Sequence, residues 1–302
     1  MNRATLDLGT NTALLLVVEW DEKLGQLGKV IEDRSTVVRL GQGVDQNRCF
    51  VPEAMERTLR CLRDYSKTVI RHGIDPAHVR AVATSQGRDA TNAKEFFEKV
   101  RCETGIWFVT LSGEEEARAS FRGALLPGQK PDCTAVIDIG GGSTEFIAIA
   151  GEFSVDVGSV RFTERYLKSN PVTDAEFWKC QSEMDQIFQT QISTDWRNSL
   201  PPGIELVGVA GTVVTLAGWF LGLGEFEPVR LDGAVLARGD LHRMVEELKW
   251  RTVDERKSLL QIDPGRADVI LAGALILWRA MEILDFPICR VSTRGLRFGL
   301  LK

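Results

Sequence analysis

Short apolar runs alternate with helical patterns along most of the chain. Two stretches look alike: Ala4–Val18 and Thr134–Ile149. Each is a short apolar run, then Asp-x-Gly, then small hydroxyl or amide residues, then a second apolar run. That pattern predicts a β-hairpin with a turn built from Gly, Asn, Ser and Thr. A repeat of this kind predicts two related domains, each opening on the same hairpin. Between and after the hairpins the pattern changes period. Pro52 to His72 reads as a helix, with Pro52 in its first turn, Gly73 at its stop, and Met55, Leu59, Leu62, Val69 and Ile70 recurring at helical spacing. Val79–Thr84 and Ile106–Leu111 read as strands. Asn92–Arg101 and a stretch from Glu114 read as helices. The second half predicts helices over Asp174–Ile192, Arg238–Leu260 and Asp268–Leu284, with a strand at Ile288–Ser292. Strands alternating with helices imply mixed sheets flanked by helices, an α/β class.

One stretch imitates a membrane span. Leu206–Gly224 holds 19 residues without a charge, near the minimum for a transmembrane helix. Its five glycines and the lack of flanking basic residues favour a buried strand, a glycine turn and a buried helix.

Composition narrows the function classes. The 302 residues are 44% hydrophobic and 26% charged, as in ordinary globular proteins, which leaves room for one large domain or two medium ones. The net charge is −5, so sequence-independent binding to DNA, which needs a basic balance, is not expected. A polyanion would have to be held locally, by metal ions, backbone N–H groups and a few arginines. The six cysteines form no CxxC unit and the three histidines stand at no ligand spacing from them. Reduced thiols in the cytoplasm are expected rather than disulfides or zinc. The N-terminus lacks the apolar core of a signal peptide.

Candidate chemistry clusters at the turns. Glycines let backbone approach a ligand, and successive N–H groups form an anion nest. In the first turn Thr10, Asn11 and Thr12 add polar groups; in the second, Gly140, Gly141, Gly142 and Ser143 do so. A carboxylate stands beside each turn, Asp7 and Asp138, with Glu145 following, and such oxygens suit Mg²⁺. A third glycine turn, Gly211-Thr212, joins an apolar strand to a helix, whose N-terminus attracts phosphate. In Ser112-Gly-Glu-Glu-Glu-Ala117, Ser112 and Glu115 make a capping box and Glu114 suits a solvated face. Glu116 is left over, near the expected join of the two halves, as a candidate to activate water. Arg88, Arg39, Arg161 and Arg266 are candidate anion contacts, with Arg88 foremost.

Together these motifs resemble the exopolyphosphatase/guanosine pentaphosphate phosphatase family, Ppx/GppA. The matching segments are Asp7–Thr12, Arg39–Gly43, Ala83–Arg88, Ser112–Ala117, Asp138–Glu145, Gly158–Arg161, Gly211-Thr212, Pro264–Asp268 and Val291–Arg297, in order across the chain. The resemblance implies two ribonuclease-H-like domains of the actin/sugar-kinase/heat-shock-chaperone superfamily around a cleft, over residues 1–118 with about 294–302, and 119–293. It implies Glu116 as catalytic base, Mg²⁺ or Mn²⁺ at Asp138 with Glu145 and Asp7, and phosphate at Thr10–Thr12, Arg88, Gly140–Ser143 and Gly211-Thr212. The implied reaction releases terminal phosphate from inorganic polyphosphate, from pppGpp, or from both; polyphosphate or guanosine penta- or tetraphosphate is the implied partner, with a homodimer as a further expectation. A kinase of the same superfamily and a non-catalytic polyphosphate or nucleotide sensor are the alternatives. Two departures stand out. Longer members carry a C-terminal helical region, often of HD phosphohydrolase type, beyond the point matching Lys302, so a weaker grip on very long chains is expected. Thr293-Arg294 stands where many members have an acidic residue and a small one.

Overall fold

A computed structural model describes residues 1–192, 194–261 and 263–301. Two compact units divide the chain: Met1–Ala119 together with the C-terminal stretch beginning at Leu296, and Ser120–Gly295.

Unit one is built on a five-stranded sheet. Its strands are β1 (Asn2–Leu8), β2 (Thr12–Asp21), β3 (Gln26–Val37), β4 (Arg80–Ala83) and β5 (Phe108–Thr110), in the order β3-β2-β1-β4-β5. β1 pairs antiparallel with β2, and β4 and β5 follow on its other side in parallel. Alternation on β1 sends Ala4, Leu6 and Leu8 into the main core of the unit, where Leu59, Leu62 and Val69 of helix α1 (Pro52–Arg71) meet them. Pro52 opens α1 and Gly73, at φ 75°, follows its end, as the sequence pattern predicts. Ile70 departs from that pattern and is exposed. Its further helices include α2 (Ser85–Asp89), α3 (Ala93–Thr104) and α4 (Gly113–Ala124), the last containing the boundary between units.

On the opposite face of β1, Thr5 Oγ1 donates to the Arg297 carbonyl at 3.0 Å. The short C-terminal helix Leu296–Gly299 lies here. Leu296 joins a small cluster with Val82 and Ala119, and Leu301 joins one with Leu16, Val18 and Trp20. Gly299 lies so close to the Ala119 carbonyl that a Cβ would overlap it.

Unit two repeats the plan. Strands β6 (Thr134–Ile139), β7 (Thr144–Ala148), β8 (Gly151–Val155), β9 (Glu205–Val209), β10 (Val235–Ala237) and β11 (Ile288–Val291) lie in the order β10-β11-β9-β6-β7-β8. β6 is again the central strand, antiparallel to β7 and parallel to β9, with β10 added at the edge. The order β8-β7-β6-β9-β11 therefore repeats the topology β3-β2-β1-β4-β5, as expected of two ribonuclease-H-like domains. Its helices include α5 (Ser159–Tyr166), α6 (Asp174–Gln191), α7 (Ala210–Phe220), α8 (Arg238–Lys249), α9 (Val253–Leu259) and α10 (Ile270–Ile283). Ala135, Ile137, Ile139 and Phe146 line the core with the apolar residues of α10.

Several expectations are corrected. Arg238–Leu260 is two helices, because Thr252 starts a new one with a capping box to Glu255. β3, β8, β10 and α5 are absent from the sequence reading. β3 is largely polar, Gln-Leu-Gly-Lys-Val-Ile-Glu-Asp-Arg-Ser-Thr-Val, and only its pairing with β2 makes it a strand. Leu206–Gly224 is a buried strand and helix as expected, and no helix among the described residues is long and apolar enough to cross a membrane.

Candidate phosphate-binding and hydrolytic site

The second hairpin turn is the most informative element. The carbonyls of its three glycines are all taken by the start of α5. Ser159 N donates to Gly140 O at 3.0 Å, and Val160 N and Arg161 N donate to Gly141 O at 2.9 and 3.0 Å. Arg161 Nε donates to Gly142 O at 2.7 Å. In a trans peptide the N–H points opposite to the carbonyl. The N–H groups of Gly141, Gly142 and Ser143 are therefore turned away from α5 in succession, which is the arrangement of an anion nest. Gly158 makes the approach feasible, since a Cβ there would overlap the Gly141 and Gly142 backbone. Arg161, a candidate substrate contact in the sequence, is buried as a brace for the loop.

Beside this turn, Asp138 of β6 and Glu145 of β7 are direct cross-strand partners. Both are buried. Like charges placed opposite one another repel, so the pair favours a bound cation or a shared proton. Burial pushes the Asp138 carboxyl above the usual aspartate range, partly offset by the hydrogen bond that Ser120 Oγ donates to Oδ2 at 2.5 Å. Ser154 Oγ donates to Glu145 Oε1 at 2.8 Å. Both carboxylates offer hard oxygen donors. Mg²⁺ is commonly held by one or two carboxylates plus waters and substrate phosphates, so this pair fits it. Among the described residues no group of three or more His, Cys, Asp or Glu side chains gathers as a metal cluster. Asp138 and Glu145 belong to unit two and Asp7 to unit one.

The third turn is held differently. Ala210 opens α7 at φ 68°, a left-handed conformation that costs a non-glycine residue about 1 kcal/mol. The Arg266 guanidinium occupies the space a Cβ on Gly211 would fill, and its Nε donates to Asp263 Oδ2 at 2.6 Å. Thr212 packs into the gap left by Gly273 of α10. The first N–H groups of α7 lie at the end of β9, where a helix start favours an anion.

In unit one the hairpin turn Gly9–Asn11 closes through Gly9 N to Thr12 O at 2.9 Å. A loop buttresses it. Val38 N and Arg39 N donate to Asn11 O, and Gly41 N donates to Thr10 O at 2.9 Å. Thr10 Oγ1 and Ser85 Oγ of α2 are 3.1 Å apart. Asn11 is 5% exposed, and its Nδ2 is a buried donor without an acceptor. An unsatisfied buried amide is costly, and a phosphate oxygen would satisfy it.

The glutamate run sorts as the sequence predicts. Ser112 N donates to Glu115 Oε2 at 2.8 Å and Glu115 N to Ser112 Oγ at 3.2 Å, a complete capping box. The bond from the Ser112 N–H holds the Glu115 carboxyl below its ordinary range. Glu114 makes an exposed pair with Arg118 at 3.6 Å. Glu116 is 7% exposed and accepts from Arg88 Nη1 at 2.9 Å. The same nitrogen donates to Leu111 O at 2.8 Å, which fixes the guanidinium against the start of α4. Unit one thus brings together Arg88 and Glu116, and separately Thr10–Thr12. Unit two brings together Gly140–Ser143, Asp138 and Glu145, and separately Gly211-Thr212. Ser120 and Ser154, which bind the two carboxylates, were missed, because a lone serine carries no sequence signal.

Comparison with known proteins points to one family. A profile of the Ppx/GppA phosphatase family matches residues 16–302. Exopolyphosphatase 2 of Mycobacterium tuberculosis is 34% identical over 288 residues, covering 91% of this chain and 88% of its own. The solved structure of the Aquifex aeolicus PPX-GPPA enzyme is 29% identical and aligns with a TM-score of 0.77, covering 100% of this chain and 98% of the other. An exopolyphosphatase from Cytophaga hutchinsonii, 23% identical, aligns with a TM-score of 0.87 over 99% of this chain and 96% of the other, and shares the fold. The fold class is that of these relatives: α/β, with two ribonuclease-H-like domains of the superfamily expected from the sequence.

Proposed function

The chain belongs to the Ppx/GppA phosphatase family, and from that premise we propose that it hydrolyses the terminal phosphoanhydride of inorganic polyphosphate, and of pppGpp, which presents the same anhydride. The observation that carries the reading is the Gly140–Ser143 turn, whose three glycine carbonyls are consumed by α5, so that the N–H groups of Gly141, Gly142 and Ser143 are turned away from that helix and offered to an anion. Phosphoryl transfer needs charge stabilisation and positioning more than covalent help. Fixed N–H donors supply both without reorganising during the reaction. The buried Asn11 amide offers a further donor to an anion.

Glu116 is the proposed general base. In the structure its carboxylate is engaged by Arg88. An arriving phosphate gives Arg88 a second acceptor, which frees a Glu116 lone pair for the proton of an attacking water. The water oxygen bonds to the terminal phosphorus, the bridging P–O bond breaks, and the shortened chain leaves as the anion. Asp138 and Glu145 would hold Mg²⁺, which supplies charge neutralisation to the phosphate oxygens when bound. The six cysteines, all free thiols, are consistent with the proposed cytoplasmic setting.

The test is phosphate release from short polyphosphate, long polyphosphate and pppGpp, each with and without Mg²⁺, by the parent and Glu116→Ala. Metal-dependent release by the parent, largely lost in the variant, is expected. No release from any of the three, or parent-rate release by Glu116→Ala, overturns the reading.

A further inference from the structure

Unit one carries a groove that the reading above does not use. It has a volume of about 340 Å³ and lies between α3 and β5, the edge strand of the five-stranded sheet. That is the low end of the range for small-molecule sites. Its walls have a particular chemistry. Lys94, Phe97, Glu98 and Arg101 follow one another at helical spacing on a single face of α3, and all four line the groove. Opposite them stands Trp107, 52% exposed. Phe97 stacks on Phe108 with ring centroids 5.4 Å apart and planes at 21°. The Arg101 guanidinium lies over the Trp107 indole, 4.1 Å from the ring centroid. Arg101 also approaches Glu98 at 3.8 Å.

A half-exposed indole offers a flat face on which a planar group can stack. The Arg101 guanidinium holds this place now, 4.1 Å from the ring centroid, and a flat heteroaromatic base entering the groove would take it over. The groove pairs this stacking surface with the Lys94 ammonium, a donor for a phosphate, and the Thr91 and Thr110 side chains at its rim. The Glu98 carboxylate is an acceptor, which matches the adjacent N–H donors on the edge of a guanine and not the acceptor nitrogen of an adenine. We propose that this groove binds a purine nucleoside monophosphate, with its base replacing the Arg101 guanidinium on the Trp107 indole, its phosphate at Lys94, and guanine preferred through Glu98, which exchanges its contact with Arg101 for the base. Gly87 and Thr110 line the groove, and they neighbour Arg88 and Leu111, the residues joined at the start of α4. The site is distinct from the phosphate turns and does not depend on the hydrolytic reading, which phosphate release tests separately.

The experiment is titration calorimetry of the full chain with GMP, guanosine and AMP, without metal, and with GMP again in excess tripolyphosphate. Saturable binding of GMP is expected, tighter than that of AMP and unaffected by tripolyphosphate. Trp107→Ala should weaken it by about tenfold or more, the usual worth of a base stack, and Trp107→Phe should restore most of it. Lys94→Ala should weaken GMP but leave guanosine unchanged, and Glu98→Gln should erase the preference over AMP. Unchanged circular dichroism of each variant keeps the comparison fair, since all three side chains are exposed. Absence of saturable binding by the parent, equal binding by Trp107→Ala, or displacement by tripolyphosphate would overturn the proposal.

Discussion

The two hairpin turns share a strand plan and differ in what braces them. In unit two a helix start grips three glycine carbonyls, and side chains are almost absent from the turn. In unit one a loop at Val38–Gly41 grips the Thr10 and Asn11 carbonyls, and the turn carries hydroxyl and amide side chains of its own. Both devices fix peptide planes by consuming their carbonyls. The helix brace leaves bare N–H groups, suited to any phosphate oxygen. The loop brace leaves a shaped side-chain donor, Asn11 Nδ2, suited to one position. One scaffold thus yields a general anion nest and a more specific contact.

The largest expected effect separates chemistry from binding. Glu116→Gln should lower the rate of phosphate release by about 10²–10⁴ while leaving substrate affinity within a few-fold, the signature of a lost general base. A comparable loss in KM alone would place Glu116 among the binding groups. Next, Gly158→Ala should push α5 off the glycine carbonyls and loosen the nest. Phosphate release should fall with a raised KM for polyphosphate, whereas Asn11→Ala should cost less because it removes one donor. Equal losses would mean the two turns are not different in kind.

A third prediction concerns pH. Burial raises the Asp138 carboxyl above its unfolded value, so folding disfavours its charged form. The protein is favoured by neutral Asp138 below the unfolded aspartate value of about 3.9 and loses that advantage as pH rises toward the raised folded value. Asp138→Asn should therefore raise the thermal midpoint at neutral pH without metal, and the gain should vanish below about pH 3.9. Added Mg²⁺ should raise the midpoint of the parent and not of the variant, by mass action. The smallest effect is at a cap: Ser112→Ala should cost about 1 kcal/mol in denaturant unfolding and leave turnover nearly intact.

Much of this was legible beforehand, for local reasons. The hairpins announce themselves because Asp-x-Gly between apolar runs is a local code. Glu116 could be singled out because Ser112 and Glu115 satisfy each other within three residues, and Glu114 needs only solvent. The brace on Gly140–Gly142 was not legible, because it joins segments far apart in sequence. Gly158 carries no packing signal in the sequence, and its role shows only with the Gly141 and Gly142 backbone beneath it. β3 escaped for a related reason: its own residues are polar, and its strand character comes from β2. That Arg161 and Arg266 brace loops was not legible either, because an arginine that braces a loop and one that meets a phosphate look identical in sequence.

The stretch 296–301 packs beside β1. Thr5, Arg3 and Arg80 bond to the carbonyls of Arg297, Leu301 and Leu300. During translation, then, the earliest strands emerge long before their final neighbours exist. The opening domain must wait, incomplete along one flank, while the whole of its sibling is made. Its completion is a ring-closure event that follows synthesis of the whole second unit, and cutting the gene between the two halves would leave the first without a piece it cannot supply itself.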